Sequence, residues 1–374
     1  MLISPGRMIA RRRVGTRVRL GDVVGAVLIG VVGSGGCRDS GPTHVVELAV
    51  LAVPNRSTVE PILQEYERRT GITIRVVYEP NAGRATTLAR QSATDDNARF
   101  DVLWVDEPGL ALRLKYDGIL GSFRPVSSQG IPERFKDVDG HWTGFAARLR
   151  VLVYHRNRVA PDDVPRSVLD LADPRWKGQI AIADPCVGPV VLHFAALYGE
   201  LGDAAADEFV RGLKTNEIRF LGTDRAVLDA IAGGQIAVGL TNSDVVSTAV
   251  EAEEPIAMRL PDVNGMGVLM IPSVIALASR APHPAEGKRL IEYLVSPDAE
   301  QRLAVSVGAH MPLHPGVGSP RAFPALGSFK VMPIDYARTA SRIQRVRGRL
   351  NALMGPVHRS SRDAGEPDGC WEPG

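Results

Sequence analysis

Most of this chain of 374 residues reads as short apolar runs alternating with stretches of helical periodicity. Residues 45–53 are nearly continuous in apolar side chains, as a strand covered on both faces requires. The turn residues Pro54, Asn55, Arg56, Ser57 and Thr58 end that run. Val59, Ile62, Leu63 and Tyr66 then fall at i, i+3, i+4 and i+7, one face of a helix that stops at Gly71. Thr58 is the expected N-cap, because that start keeps Pro61 in the first turn, where no backbone donor is needed. Strands over 72–78 and 100–105 and helices over 84–93 and 109–116 continue the alternation, which predicts a parallel α/β layer. The third strand ends in Asp106 and Glu107.

A long strand over 145–154 follows Gly140-His141-Trp142-Thr143-Gly144, and Arg148 and Arg150 share one of its faces. Two arginines in a run of Leu, Val and Ala are costly unless they reach water, a carboxylate or an anionic ligand. A second α/β unit comes next: strand 180–183 ending at Asp184, helices over 190–198 and 204–213, strand 218–221 and helix 225–232. Residues 236–240 are a further buried strand, stopping abruptly at Thr241, Asn242, Ser243 and Asp244. Polar residues at the carboxyl end of a strand sit where open α/β sheets hold ligands. They are equally good helix N-caps, here for a helix over 245–252, so the expected product is a polar turn and a helix start with free N–H groups. An ordinary capped turn is the competing reading. Residues 267–272 and 273–277 are strand-like and return the chain to the first unit. Helices over 285–294 and 298–306, an extended piece at 311–313 and an amphipathic basic helix over Ile343–Met354 complete the pattern. Residues 356–374 have the composition of a disordered tail.

Hydrophobic residues make up 44% of the chain, enough for two domains with a sizeable core. The formal charge of +2 gives no reason to expect nucleic acid as a partner. Arginines crowd the start, from Arg7 to Arg19, and precede an apolar core over 23–33, then Ser34-Gly35-Gly36 and Cys37. That order reads as an export signal over 1–37, with 38–44 as a tether; the apolar core is too short to span a bilayer. A cysteine after small residues resembles the bacterial lipobox, in which it is lipidated and becomes residue one; Ser34 stands where leucine is usual. The lipid-anchored, exported form is expected, with ordinary secretory cleavage or an uncleaved anchor as alternatives. Cys186 and Cys370 are expected to stay free.

Five pieces carry a family resemblance. They are Trp142-x-Gly144 leading to Arg148-x-Arg150-Val151-x-Val153-Tyr154; Leu171-Ala172-Asp173-Pro174-Arg175-Trp176-Lys177-Gly178; Gly239-Leu240-Thr241-Asn242-Ser243-Asp244; Tyr293-Leu294-Val295-Ser296-Pro297 followed by Ala299-Glu300; and Pro312-Leu313-x-Pro315-Gly316. Their order and spacing resemble the bacterial extracellular solute-binding proteins of ABC importers, in the branch of ferric-ion, thiamine and phosphonate binders. The resemblance implies an α/β, type II periplasmic-binding-protein fold. Two lobes, 45–146 plus 269–339 and 147–268, would be joined by crossing strands, with 340–374 as basic helix and tail. It also implies a solute in the cleft, held by strand-end loops at Asn55, Arg56, Ser57, Asp106, Glu107, Asp184, Thr241, Asn242, Ser243 and Asp244, with Arg148 from the crossing strand. Ordinary turn chemistry is the alternative for each loop.

Ferric-ion binders of the branch usually present adjacent tyrosines in the turn after the strand matching 236–240, and phenolates suit ferric iron. This turn has no tyrosine. Hydroxyls, amides and a guanidinium suit instead a small oxyanion or polar organic acid, such as a phosphonate, or a metal–anion chelate. The implied partners are that solute, an ABC permease and, through the lipid, the membrane. A monomer without a cofactor is expected. Ferric binding through other ligands is the alternative, as is a cleft-bearing sensor lipoprotein with no transport role.

An enzyme is the rival class, and the residues argue against it. Cys186 follows a strand, with His193 one or two helical turns away, but a small apolar filler is its simpler role. His310 and His314 are four apart, yet Pro312 between them prevents a regular helical pair, so no zinc site is expected. Asp106 and Glu107 read more simply as a loop cap and a surface charge than as a catalytic pair.

Overall fold

The computed structural model describes residues 46–185 and 188–355. The leader with Cys37, the tether, Cys186 and the tail with Cys370 lie outside the described residues. The strands described are β1 (Glu47–Ala52), β2 (Thr73–Tyr78), β3 (Val102–Val105), β4 (Leu120–Gly121), β5 (Thr143–His155), β6 (Ile180–Ala183), β7 (Arg219–Leu221), β8 (Val238–Asn242), β9 (Ile256–Arg259) and β10 (Met270–Ala278).

β1 pairs in parallel with β2 and β3, and β10 joins β3 antiparallel. β6 pairs in parallel with β7 and β8 to make a second group. Parallel neighbours need crossover connections. The helices Arg56–Thr70 and Ala82–Gln91 supply them in the first group, and in the second the two helices within Gly188–Thr215, separated by a non-helical Gly202, and the helix Asp224–Ala232. β3, β6 and β10 are buried throughout, as strands covered on both faces must be.

β5 serves both groups. Its residues 143–149 pair with β10, and 150–155 pair with β8 and β9. The sheet order is therefore β2-β1-β3-β10-β5-β8-β6-β7, with β4 on β10 and β9 on β5. The change of partner falls between Leu149 and Arg150, so the two arginines of this strand stand on either side of the crossing. The result is two α/β lobes joined by crossing strands. No helix among the described residues is long and apolar enough to cross a membrane.

The structure departs from the sequence pattern in four places. The first helix starts at Arg56, with Asn55 as N-cap, and Pro61 lies inside it. The Asn55 carbonyl accepts from the N–H of both Thr58 and Val59, so the chain turns before Thr58 can act as the cap. β8 runs on through Thr241 and Asn242, because Val151 and Arg150 of β5 pair with them, and the helix Ser243–Glu251 follows at once. β10 is one strand whose register slips between Pro272 and Ser273, where proline withholds an amide. β4, β9 and the helix Tyr336–Ser341 are too short to stand out by periodicity.

Candidate functional site

Asp106 follows β3, Asp244 lies in the first turn of the helix after β8, and Arg148 stands on β5 just before it changes sheets. Arg148 Nη1 lies 3.7 Å from Asp106 Oδ1, and Nη2 donates to the Asp106 backbone carbonyl. The Arg148 residue is only 5% exposed. Burial works against its charge, but Asp106, Asp244, Asp224 and Glu107 outweigh burial and hold it protonated. Asp106 and Asp244 are both pushed above the usual carboxylate range. Burial is the main cause in each. Arg148 offsets part of it, while Asp244 adds to the shift of Asp106 and Asp224 to that of Asp244. Asp244 Oδ1 is buried without a hydrogen-bond partner.

His310 completes this group, a residue that sequence reasoning weighed only as half of a zinc pair. It is 3% exposed, and its Nδ1 has no partner. Burial, then the charge of Arg148, lowers its pKa to about 4, against the opposing pull of Asp106. A Cβ at Gly308 would lie 3.8 Å from that of Asp244 and closer still to the His310 ring, so this loop packs against the second lobe's helix start. Met311 and Ala147 exchange two backbone bonds of 2.7 Å, which lays the loop beside Arg148. That pairing is far apart in sequence and leaves no local signal. His314 is structural: Nδ1 lies 2.9 Å from Glu300 Oε2, and Nε2 lies 2.8 Å from the Ser127 carbonyl.

The polar end of β8 is closed on itself. Thr241 Oγ1 donates to Asp224 Oδ1 at 2.7 Å, and Asn242 Nδ2 donates to Asp224 Oδ2 at 2.9 Å. Arg150 is fully buried; its Nη1 donates to Asn242 Oδ1 at 2.9 Å and its Nη2 to the Leu240 carbonyl at 3.3 Å. Nη1 also lies 3.6 Å from Asp224. Ser243 Oγ accepts from the Leu149 N–H at 3.0 Å. Asp224 and the crossing strand thus engage the side chains that the sequence offers to an oxyanion.

The remaining expected residues divide. Glu107 caps its own helix, accepting from the N–H of Gly109 and Leu110 at 2.5 and 3.1 Å, and burial raises its pKa. Asn55, Arg56 and Ser57 are exposed, and Arg56 pairs with Glu60 at 3.0 Å, so the helix start carries them outward. Asp184 is buried at the end of β6, where its N–H donates to the Leu221 carbonyl. Arg347 of the helix Ile343–Met354 lies in the field of both Glu107 and Asp184, an approach the sequence did not announce.

Among the described residues, one trio gathers metal-type ligand atoms within 4.8 Å: Asp137, Asp139 and His141. Lys115 Nζ already lies 2.7 Å from Asp137 and 2.6 Å from Asp139. An ammonium therefore meets the charge that an ion would need.

Residues 48–305 match the model of the bacterial extracellular solute-binding protein family. Iron uptake protein A1 of Synechocystis sp. is 26% identical over 303 residues, covering 77% of this chain and 82% of that protein. The major ferric iron-binding protein of Neisseria meningitidis is 24% identical over 285 residues, covering 74% and 83%. Iron-bound HitA from Pseudomonas aeruginosa superposes with a TM-score of 0.73 at 21% identity, covering 82% of this chain and 99% of that one. This likeness shows the type II periplasmic-binding-protein fold.

Proposed function

The chain belongs to the bacterial extracellular solute-binding protein family, and from that premise we propose that it captures a small polar solute between its two lobes and presents it to an ABC permease. One observation carries the reading: Arg148 on the crossing strand lies 3.7 Å from Asp106 of the first lobe and in the field of Asp244 of the second. A solute held there touches both lobes, so it favours closure by the contacts that the open state lacks. The lobes in this reading are 45–146 plus 269–339 and 147–268, and the change of partner within β5 supports that division. The leader supports export, and acylation at Cys37 would hold the protein at the membrane as a monomer.

The test is native mass spectrometry of the purified chain, followed by a thermal-shift screen of polar solutes. A solute at a hundredfold excess over its Kd adds about 2.7 kcal/mol, a visible rise in melting temperature. A screen in which no polar solute raises the melt would contradict the reading.

Direct ferric binding is a second reading. It is supported by the names of the two relatives and by the hard oxygen ligands of Asp106 and Asp244 beside the His310 imidazole. No phenol stands in the turn 241–244 to join them. Titration with ferric citrate is expected to give no visible phenolate-to-iron band and no retained iron in native mass spectra. Iron that is retained one-to-one would establish the ferric reading in its place.

A further inference from the structure

We propose that His193 and Arg150 hold one buried water inside the second lobe, and that through this water His193 positions the Arg150 side chain. His193 belongs to the first of the two helices within Gly188–Thr215. It falls in the buried stripe Val190, His193, Phe194 and Leu197, at i, i+3, i+4 and i+7, so it faces the sheet and not solvent. Arg150 approaches it from β5. The two side chains line one cavity, whose other walls include Ile182, Leu240, Phe194 and Leu213, all buried. The cavity leaves about 10 Å³ for the centre of a water molecule. A single water needs roughly 10–15 Å³ on that measure, so nothing larger fits.

The walls also hold unmet polar atoms. Arg150 is fully buried, and its terminal nitrogens are engaged by Asn242 and the Leu240 carbonyl; its third donor, Nε, has no partner. His193 is 2% exposed, and neither of its ring nitrogens has a partner, so the ring and Nε do not bond directly. Buried polar groups are rarely left unmet, and ordered water commonly meets them. A water oxygen can accept from Nε–H while one of its hydrogens is donated to the ring's lone pair. Burial, with the charge of Arg150, keeps the His193 pKa well below its ordinary value, so the ring is neutral and that lone pair is available. One water therefore accounts for Nε and one ring nitrogen, the tautomer deciding which. An apolar occupant would satisfy none of them.

The consequence reaches the polar turn. Arg150 donates to Asn242, and Asn242 and Thr241 both donate to Asp224. A water that fixes Arg150 from behind thus fixes the end of β8 from which the helix Ser243–Glu251 starts. His193 acts on that turn only through Arg150, which makes it a positioning residue.

The experiment uses the full chain and two measurements that need no variant. A high-resolution crystal structure is expected to show one water within hydrogen-bond reach of Arg150 Nε and a His193 ring nitrogen. NMR of protein labelled with nitrogen-15 is expected to show cross-relaxation between the Arg150 Nε–H and a long-lived water, with hydrogen exchange at Nε at least about tenfold slower than at exposed arginines. His193→Phe fills the cavity and removes the acceptor, so it is expected to abolish the water signal and shift the Asn242 side-chain amide resonances. His193→Gln keeps an acceptor and is expected to retain both signals, a rescue that packing alone would not give. A cavity without water density, a ring nitrogen bonded straight to Nε, or a water signal that survives His193→Phe would each overturn the proposal.

Discussion

Arg150→Ala is expected to cost about 3–5 kcal/mol of stability, the range for breaking a buried ion pair from one side. The Arg150 guanidinium is fully buried and serves Asn242, Asp224 and the Leu240 carbonyl together. Burial pulls its pKa down, and the charge of Asp224 opposes that shift. Alanine leaves Asp224 without its counter-ion and Asn242 Oδ1 without a donor. Arg150→Met restores volume but not charge, so it should fall between. Arg150→Met combined with Asp224→Asn should recover much of the loss, because the orphaned charge is then gone as well. Urea unfolding of the four proteins checks this. A single Arg150→Ala variant within about 1 kcal/mol of wild type would contradict the network, since that is the scale of an exposed pair.

Glu300→Ala should have an effect of similar size. The Glu300 carboxylate is fully buried in the helix Pro297–Ala304 and accepts from the N–H groups of Ala146, Leu313 and His314 at 2.7 to 3.0 Å. Ala146 sits at φ 43 on β5, a conformation a non-glycine residue adopts only when its surroundings hold it there. Removing the carboxylate orphans three amides, each worth about 1–3 kcal/mol when buried and unmet, so a total near 3–5 kcal/mol is expected after relaxation. The pH response carries a second signature. Burial lowers the pKa of His314, but the hydrogen bond and charge of Glu300 outweigh burial and leave it raised. A raised imidazole stabilises fully below its ordinary value, about 6.5, and the contribution is lost as pH rises through the folded value. Wild type should therefore lose stability from this source above about pH 6.5, and Glu300→Gln should flatten that slope. Melting curves across pH 5.5 to 8.5 decide it; a Glu300→Gln variant with the wild-type slope would show that another group sets it.

Local patterns were legible and distant answers were not. The alternation of apolar runs and helices gives both parallel groups, because each strand and its crossover helix are neighbours in sequence. The crossing strand was visible as a long apolar run, and its two arginines stood out as charges needing partners. The sequence poses that question for Arg150 without naming Asp224, which opens a different helix and reaches it only through the fold. The same helix start takes the side-chain donors of Thr241 and Asn242, so a turn that looks ready for a ligand is largely satisfied within the protein. Asn55, Arg56 and Ser57 show a further limit of local pattern: a strand end says that a cleft is near, but the helix beginning at Arg56 sets which way its first residues face. His310 depends on the bridge between Met311 and Ala147, which no local pattern encodes.

Capture by closure requires one solute shared by two lobes. A crystal structure of the chain with the solute identified by the screen tests that most directly. The predicted result is density for the solute between Asp106 and Asp244, in contact with residues of both lobes and beside Arg148. A solute held by one lobe alone, or seated away from these carboxylates, would contradict it.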